Sequence, residues 1–261
     1  MAEPAQSFIL ITASLPHCLT PTEAVTTHPT PRVATLAPPS SYSRPMSRTL
    51  QGKVVAVVGT GGLGQALARS LAERGSIVIV AGRSGAVDVT VDLTDADAGA
   101  ELVDHALALH GRLDGVVIAA GVVAFGDLES TEDAVIEELL LTNALGPLWL
   151  ARRVLPALRE SRGFIANLSG VVAATPLPGM VAYSASKASA AAAFQALGRE
   201  LRRAEVLVCD AQPPHTETGL STRPIAGTAP RFAPGLDPRA VADRVLAGIE
   251  ANQAVITAAD F

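Results

Sequence analysis

Residues 53–64 read Lys-Val-Val-Ala-Val-Val-Gly-Thr-Gly-Gly-Leu-Gly. The apolar run Lys53–Val58 is typical of a strand that is buried on both faces of a parallel sheet. The Gly-x-Gly-x-x-Gly spacing after it permits a tight turn and a close approach of the backbone to a pyrophosphate. Apolar residues at helical spacing then predict a helix over Leu63–Arg74, capped by Gly75. This strand, turn and helix predict a nucleotide-binding unit whose cofactor-binding residues are Gly59, Thr60, Gly61, Gly62, Leu63 and Gly64.

The same alternation of apolar strands and amphipathic helices continues along the chain. Further strands are predicted at Ser76–Ala81, Ala86–Val91, Asp114–Ala119, Gly163–Leu168 and Glu205–Cys209. Helices are predicted at Asp95–His110 (with Thr94 as N-cap), Thr131–Leu158, Met180–Arg203 and Pro238–Glu250. Continuously apolar strands separated by helices predict an α/β fold, a doubly wound Rossmann-type parallel sheet in a single domain.

The connection between the second and third strands is unusually short. Only eight residues lie between Arg83 and Asp92, fewer than the dozen or so that a crossover helix needs. We therefore expect this crossover helix to be missing, with a plain loop in its place and part of one sheet face less covered.

The first 45 residues differ from the rest in composition. Residues 1–45 contain 8 of the 18 prolines and none of the 22 glycines, and proline disfavours both helix and central strand. A disordered tail rich in Pro, Ser and Thr is predicted at 1–45, followed by a nucleotide-binding domain at 46–261. A second hypothesis is that Met46 is the native start.

Charge and cysteine content exclude several classes of protein. The 20 Lys and Arg against 25 Asp and Glu, a net charge of −5, argue against a nucleic-acid partner, which needs a basic face. No apolar run reaches the roughly 18 residues of a membrane helix. Cys18 and Cys209 are isolated, which predicts neither a disulfide framework nor a metal site. We expect a soluble, cytoplasmic protein without a membrane partner.

The end of the second strand indicates which dinucleotide binds. An NAD site has an acidic residue there for the ribose 2′-hydroxyl, but this strand is followed by Arg83 and Ser84. An arginine pairs with a 2′-phosphate through charge-assisted hydrogen bonds. We therefore predict NADP(H), with Arg83 and Ser84 as the discriminating residues; the alternative is an ordinary solvated loop arginine.

Tyr183 and Lys187 are the most specific pair in the chain. They lie four residues apart in a predicted helix and therefore on one face. A nearby ammonium favours the phenolate and lowers a tyrosine pKa toward neutral pH, which suits acid–base chemistry. The chain has only two tyrosines and two lysines, so chance rarely produces this spacing.

Together with the glycine turn, this pair makes residues 52 to about 250 resemble the short-chain dehydrogenase/reductase family. The resemblance extends to segments around Asp92 and Leu93, Ala120 and Gly121, Asn143, Ser169, and Pro213 and Thr218. It implies hydride transfer between NADP(H) and a carbonyl or alcohol carbon. In that mechanism Tyr183 is the acid–base group, Lys187 binds the nicotinamide ribose and lowers the pKa of Tyr183, and Asn143 holds a relay water. The resemblance also implies that Asp92 contacts the adenine and that Thr218 faces the nicotinamide.

The chain departs from the family pattern at the catalytic serine. That serine lies about 13 residues before the tyrosine, a position occupied here by Gly170. We expect Ser169 to take its place as the catalytic serine. Successive strand residues face opposite sides, so this requires a shift or bulge at the strand end, and strand ends near active sites often carry such bulges. Ala119 and Ala120 also stand where the family has asparagines. A non-enzymatic NADP(H)-binding sensor or partner-binding protein is therefore the alternative to an enzyme.

The substrate and the oligomeric state are less specified. The Pro- and Gly-rich segment Gln212–Leu236 is predicted to be a lid, within which His215 is either a substrate contact or an ordinary loop residue. An apolar pocket for a small substrate is predicted from Val122, Val123, Phe125, Leu177 and Met180. Because Arg223 and Arg231 lie in the predicted lid, an anionic substrate is the alternative.

By analogy with the family, the helical stretches Leu139–Leu155 and Ala188–Leu201 are expected to join subunits into a homodimer or homotetramer.

Overall fold

One seven-stranded parallel sheet organises the chain, in the order β3-β2-β1-β4-β5-β6-β7. The computed structural model describes residues 47–261, so the predicted tail and the proposed start at Met46 lie outside the described residues. The strands are β1 Val54–Val58, β2 Ile77–Gly82, β3 Val89–Thr90, β4 Gly115–Ile118, β5 Phe164–Leu168, β6 Leu207–Ala211 and β7 Val255–Ile256. The predicted α/β doubly wound sheet is confirmed.

Within residues 47–261 there are six α-helices. They are α1 Gly62–Glu73, α2 Ala98–His110, α3 Asp133–Leu140, α4 Gly146–Ser161, α5 Val181–Glu200 and α6 Pro238–Glu250. Five of them cover the two faces of this sheet, and α3 packs against α5. Leu67 of α1 and Leu246 of α6 pack on one face, in a cluster with Val55 and Val57 of β1. Helices α2, α4 and α5 pack on the opposite face. All five residues of β1 are buried, as their unbroken apolar pattern predicts.

A loop joins β2 to β3, as the short interval predicts. Asp88 holds this loop against β2: its side chain accepts a hydrogen bond from the Val80 N–H at 2.8 Å, and its own N–H donates to the Val80 carbonyl at 2.8 Å. Val78 and Val80 are only half-buried. The absence of a helix between β2 and β3 thus leaves this part of the sheet less covered, as expected.

Several predicted boundaries differ from the structure. The third strand is two residues long rather than six, and β7 was not predicted. Thr94 does not cap α2, because its N–H and hydroxyl both donate to Asp92 and the helix begins only at Ala98. The predicted helix Thr131–Leu158 is interrupted by a π-helical segment at Leu141–Leu145.

Helix α3, the π segment and α4 run on continuously from Asp133 to Ser161. This is the one helix in the described part of the chain that is long and apolar enough to cross a membrane. Leu150, Val154 and Leu158 bury its inner side in the core, and core helices pass the same test of length and composition. Length and composition therefore do not make this helix a membrane span.

Candidate active site

The carboxyl ends of β1 and β4 meet where the strand order reverses, which is where doubly wound sheets bind ligands. A Cβ on Gly59 would lie 2.6 Å from the backbone nitrogen of Ala120, and one on Gly64 would lie 1.9 Å from the Gly59 carbonyl oxygen. Glycine is therefore required at both positions for the turns to pack. Gly61 is the exposed N-cap of α1 and has open space around it, and no side chain caps the helix. The free N–H groups of this helix start suit an anion.

The residues expected to read the nucleotide follow β2 and β3. Arg83 and Ser84 are exposed, and among residues 47–261 no side chain or carbonyl forms a hydrogen bond or ion pair with the Arg83 guanidinium. Asp92 is half-buried, and one of its carboxylate oxygens accepts from Thr94. Leu93 is 4% exposed and packs in the core, so its side chain does not face the crevice.

Asn143 lies in the π-helical segment and is 1% exposed. Its amide oxygen accepts from the Val122 N–H at 2.9 Å, and its amide nitrogen donates to the Val122 carbonyl at 2.9 Å and to the Ser186 hydroxyl at 3.1 Å. Asn143 therefore joins the turn after β4 to helix α5. Both N–H groups of the Asn143 amide already donate hydrogen bonds. This side chain can therefore hold a relay water only by accepting a hydrogen bond from it.

Tyr183 and Lys187 lie one turn apart on α5 and are 9% and 7% exposed. The Lys187 ammonium donates to the Leu168 carbonyl at 2.9 Å. A Cβ on Gly121 would lie 3.2 Å from the Lys187 nitrogen and 2.9 Å from the Asn143 amide oxygen. The structure thus brings Gly121, Asn143 and Lys187 together, and the absence of a side chain at Gly121 makes room for them.

Burial decides the protonation of the pair. It raises the pKa of Tyr183 to about 12, since the phenolate loses its hydration. It lowers the pKa of Lys187 to about 8, partly opposed by the negative charge of Asp210. The expected lowering of the tyrosine pKa is therefore wrong for this structure, in which desolvation of the phenolate sets the direction of the shift. Near neutral pH the phenol carries its proton.

Ser169 does not join this cluster. It is fully buried, and its hydroxyl donates to the Asp210 carboxylate at 2.8 Å. The strand end is irregular, since the N–H groups of Ser169 and Gly170 both donate to the Ala211 carbonyl. The irregularity gives Gly170 a φ of +78° but leaves Ser169 on the same side of β5 as Asn167. The predicted substitution of Ser169 for the family serine is thus not supported.

Asp210 is the feature of this region that the sequence interpretation missed. It is 1% exposed and accepts hydrogen bonds from Asn167 at 3.1 Å, Ser169 at 2.8 Å and Gln212 at 3.0 Å. The predicted strand ended at Cys209, two residues before the end of β6 at Ala211, and so left Asp210 out. An acidic residue next to an apolar run was the available signal.

The segment after β6 folds against the site. A Cβ on Gly62 would lie 2.8 Å from the Thr218 carbonyl oxygen, so the glycine turn and Thr218 are neighbours. The Pro213 carbonyl accepts from the Val171 N–H at 3.0 Å. Further along, Ile225 donates its N–H to Val123, and Phe125 donates to Ala226.

The predicted apolar pocket is found in part. Val123, Phe125 and Met180 form a buried cluster that includes Tyr183, with Val122 at its edge. Leu177 is 40% exposed and is not part of it.

A cavity of about 900 Å³ lies within the predicted lid. Its lining includes His215, Glu217, Arg231 and Phe232 but not Tyr183. The His215 ring stacks on Phe232 with the ring centres 4.7 Å apart. His215 is therefore built into the folded lid.

Comparison with known proteins identifies relatives of this arrangement. The family described as short chain dehydrogenase matches residues 53–226. An 11-beta-hydroxysteroid dehydrogenase A from Sesamum indicum is 34% identical over 170 residues, which are 58% of this chain and 49% of that protein, so the chain spans about half of it.

Solved structures agree in fold. A short chain dehydrogenase from Burkholderia cenocepacia in complex with NADP has a TM-score of 0.72 and 27% identity, over 80% of this chain and 89% of that one. A 3-ketoacyl-(acyl-carrier-protein) reductase from Brucella melitensis complexed with NADH has a TM-score of 0.71 at 22% identity, over 80% and 96%. The second likeness shows the fold alone.

Proposed function

The chain belongs to the short-chain dehydrogenase/reductase family of oxidoreductases, and from this premise we propose that it transfers hydride between NADP(H) and the carbonyl or alcohol carbon of a small apolar substrate. The observation that carries the proposal is the convergence of Asn143 and Lys187 at Gly121, with Tyr183 one helical turn from Lys187. Such a convergence has a direct use in proton transfer at a carbonyl oxygen.

The crevice fits a dinucleotide. The glycine turn excludes side chains where Gly59 and Gly64 touch backbone, and the N-terminus of α1 offers uncapped N–H groups for a pyrophosphate. The Arg83 guanidinium has no partner within residues 47–261, which supports a 2′-phosphate there and hence NADP(H) rather than NAD(H). Asp92, Ala120, Gly121, Pro213 and Thr218 would complete the site.

The protein's own groups would handle the proton. The nicotinamide of NADP(H), when bound, supplies or accepts the hydride. The protonated phenol of Tyr183 suits donation to a carbonyl oxygen, which favours the reductive direction near neutral pH. The Lys187 ammonium would stabilise the phenolate that remains, and Asn143 holds the turn after β4 in position.

A small apolar substrate suits the surroundings of Tyr183. The phenol lies in a cluster with Phe125, Val172 and Met180. These side chains would exclude water from the reacting carbonyl and offer it no charged partner. The anionic alternative would require Arg223 or Arg231. The Arg223 guanidinium donates to the Gly219 carbonyl, and Arg231 lines the lid cavity, whose lining does not include Tyr183.

The test is oxidation of NADPH over a panel of small ketones and aldehydes, with Tyr183→Phe as the matched variant. We expect turnover by the wild type, with loss of about 10²-fold or more in Tyr183→Phe and unchanged NADPH binding. Turnover that survives the substitution would contradict the role of Tyr183.

One observation favours a second candidate, a non-enzymatic NADP(H)-binding sensor or partner-binding protein. The position of the family serine is Gly170, and the Ser169 hydroxyl is donated to Asp210. No hydroxyl from β5 would then orient a substrate oxygen. Tight NADPH binding without turnover on any carbonyl would support this candidate.

We further propose that the protein acts as a homodimer or homotetramer in the cytoplasm, without nucleic-acid or membrane partners. Leu140 and Leu145 are 37% and 44% exposed within the helical stretch expected to join subunits. The net charge of −5 supports the absence of a nucleic-acid partner. Sedimentation of the purified chain tests the assembly.

A further inference from the structure

A buried carboxylate lies behind the lysine of the site. Asp210 is on β6 and is 1% exposed. Three donors surround it, namely the Asn167 amide in β5, the Ser169 hydroxyl directly after β5 and the Gln212 amide directly after β6. A buried carboxylate is costly unless hydrogen bonds or an opposite charge compensate it. Burial raises the pKa of Asp210, and the three donors oppose that rise because they stabilise the carboxylate.

The positive charge that acts on this carboxylate is that of Lys187. Its ammonium donates to the carbonyl of Leu168, the residue between Asn167 and Ser169, both of which donate to Asp210. The Lys187 ammonium and the Asp210 carboxylate therefore bond to neighbouring residues at the carboxyl end of β5. The negative charge of Asp210 raises the pKa of Lys187, and the positive charge of Lys187 lowers the pKa of Asp210.

Other titratable groups do not compete for this role. Cys209 precedes Asp210 in β6, and burial raises its pKa to about 12, so it stays neutral. The positive charge of Arg244, from α6, lowers the pKa of Cys209 and so partly opposes the effect of burial. Neither β5 nor β7 presents a charged side chain to Asp210 within the described residues.

We propose that Asp210 is the counter-ion of Lys187 and keeps its ammonium protonated at neutral pH, which makes Asp210 a positioning residue for proton transfer at Tyr183. The catalytic part of this statement rests on the proposed function; the ionic part does not. It also assigns a role to Ser169, which holds Asp210 rather than a substrate.

The physical reason is the opposition between burial and charge. Burial alone drives Lys187 toward the neutral amine, and the negative charge of Asp210 opposes that. If Asp210 is neutralised, Lys187 loses its proton at a lower pH. A neutral amine no longer stabilises the Tyr183 phenolate.

The chain allows this to be measured directly, because Lys53 and Lys187 are its only lysines. With lysine labelled with ¹³C at the ε carbon, NMR of the full chain gives two signals, and Lys53→Arg identifies that of Lys187. We expect Asp210→Asn to lower the titration midpoint of Lys187 by about one pH unit. An unchanged midpoint in folded Asp210→Asn would overturn the proposal.

Asp114→Asn is the matched control. Asp114 is also buried, but it lies beside Lys53 and Arg112, directly before β4 rather than at the carboxyl end of a strand. Its loss should leave the Lys187 midpoint unchanged, and an equal shift in both variants would refute a specific pair.

A milder variant covers the case in which Asp210→Asn does not fold. Ser169→Ala removes one donor from Asp210 and so should raise the pH at which that carboxylate takes up a proton. The acid-side inflection of the Lys187 signal should then move to higher pH. The absence of that movement would count against the proposal.

The catalytic consequence is read separately. In Asp210→Asn the high-pH limb of NADPH oxidation should move down together with the Lys187 midpoint. Shifted NMR midpoints in a protein that never turns over would refute the proposed function but keep the coupling between the charges of Asp210 and Lys187. Turnover with an unchanged Lys187 midpoint would refute the coupling of Asp210 and Lys187 but keep the proposed function.

Discussion

Replacing Asn143 with alanine removes three hydrogen bonds at once. The lost partners are the N–H and carbonyl of Val122 and the hydroxyl of Ser186. A typical hydrogen bond contributes about 1 kcal/mol net, so Asn143→Ala should lose about 3 kcal/mol of unfolding free energy. For a domain of this size that corresponds to a fall of roughly 6 to 12 °C in Tm. Activity should fall too, because Val122 follows the turn at Gly121.

Urea unfolding followed by fluorescence measures this loss. Trp149, the single tryptophan, lies on α4 only six residues beyond Asn143 and is half-buried, so it reports on the segment that changes. Ser186→Ala is the matched variant. In the double variant the two losses should fall short of additivity by about 1 kcal/mol, since they share one bond.

Two results would refute this reasoning. A loss below about 1 kcal/mol in Asn143→Ala would mean that the amide does not hold the turn. Additive losses in the double variant would mean that Asn143 and Ser186 are not bonded. Normal stability with lost activity would leave Asn143 a purely chemical role.

Three further predictions concern the cofactor, the lysine and the strand end. Arg83→Asp should lower the preference for NADPH over NADH by about 10-fold or more, as expected for a lost charge-assisted bond; steady-state kinetics with both cofactors measure it, and Arg203→Asp should change nothing. The unfolding free energy should rise between pH 8 and pH 9 through Lys187, because the folded chain releases its proton at about 8 and the unfolded chain only near the ordinary lysine pKa; urea titrations across that window should show a slope that Lys187→Met abolishes, whereas above pH 9 the raised pKa of Cys209 acts in the opposite direction. Gly170→Ser should cost about 1–2 kcal/mol because φ is +78° there, although the nearest atom to an added Cβ is 3.8 Å away; an unchanged Tm would contradict that strain.

Much of the fold was readable because a strand buried on both faces must be apolar throughout. Strands β1, β4 and β5 and helix α6 lie within one or two residues of their predicted positions. The loop between β2 and β3 was predicted from length alone, since eight residues cannot form a crossover helix. β7 was missed because two residues carry too little pattern, and its strand character comes from pairing with Asp210 and Ala211.

The chemistry of the site was readable only where it is local. Tyr183 and Lys187 share a face because four residues make about one helical turn. By contrast, Ser169 was expected to face the substrate, and its orientation depends on β5 pairing with β6 in the register Asn167↔Asp210. The pKa of Tyr183 was expected to fall, but the extent of its burial depends on packing by distant residues such as Phe125 and Leu139.

The sequence alone determined the parallel α/β sheet, the glycine turn and the Tyr183–Lys187 pair, because each rests on spacings of a few residues that helix and strand geometry convert directly into shape. Only the tertiary structure decided that Asn143 holds Val122 and that Ser169 and Asp210, 41 residues apart, share a hydrogen bond behind Lys187. Contacts of that kind depend on strand order and register, which join residues that have no fixed spacing along the chain.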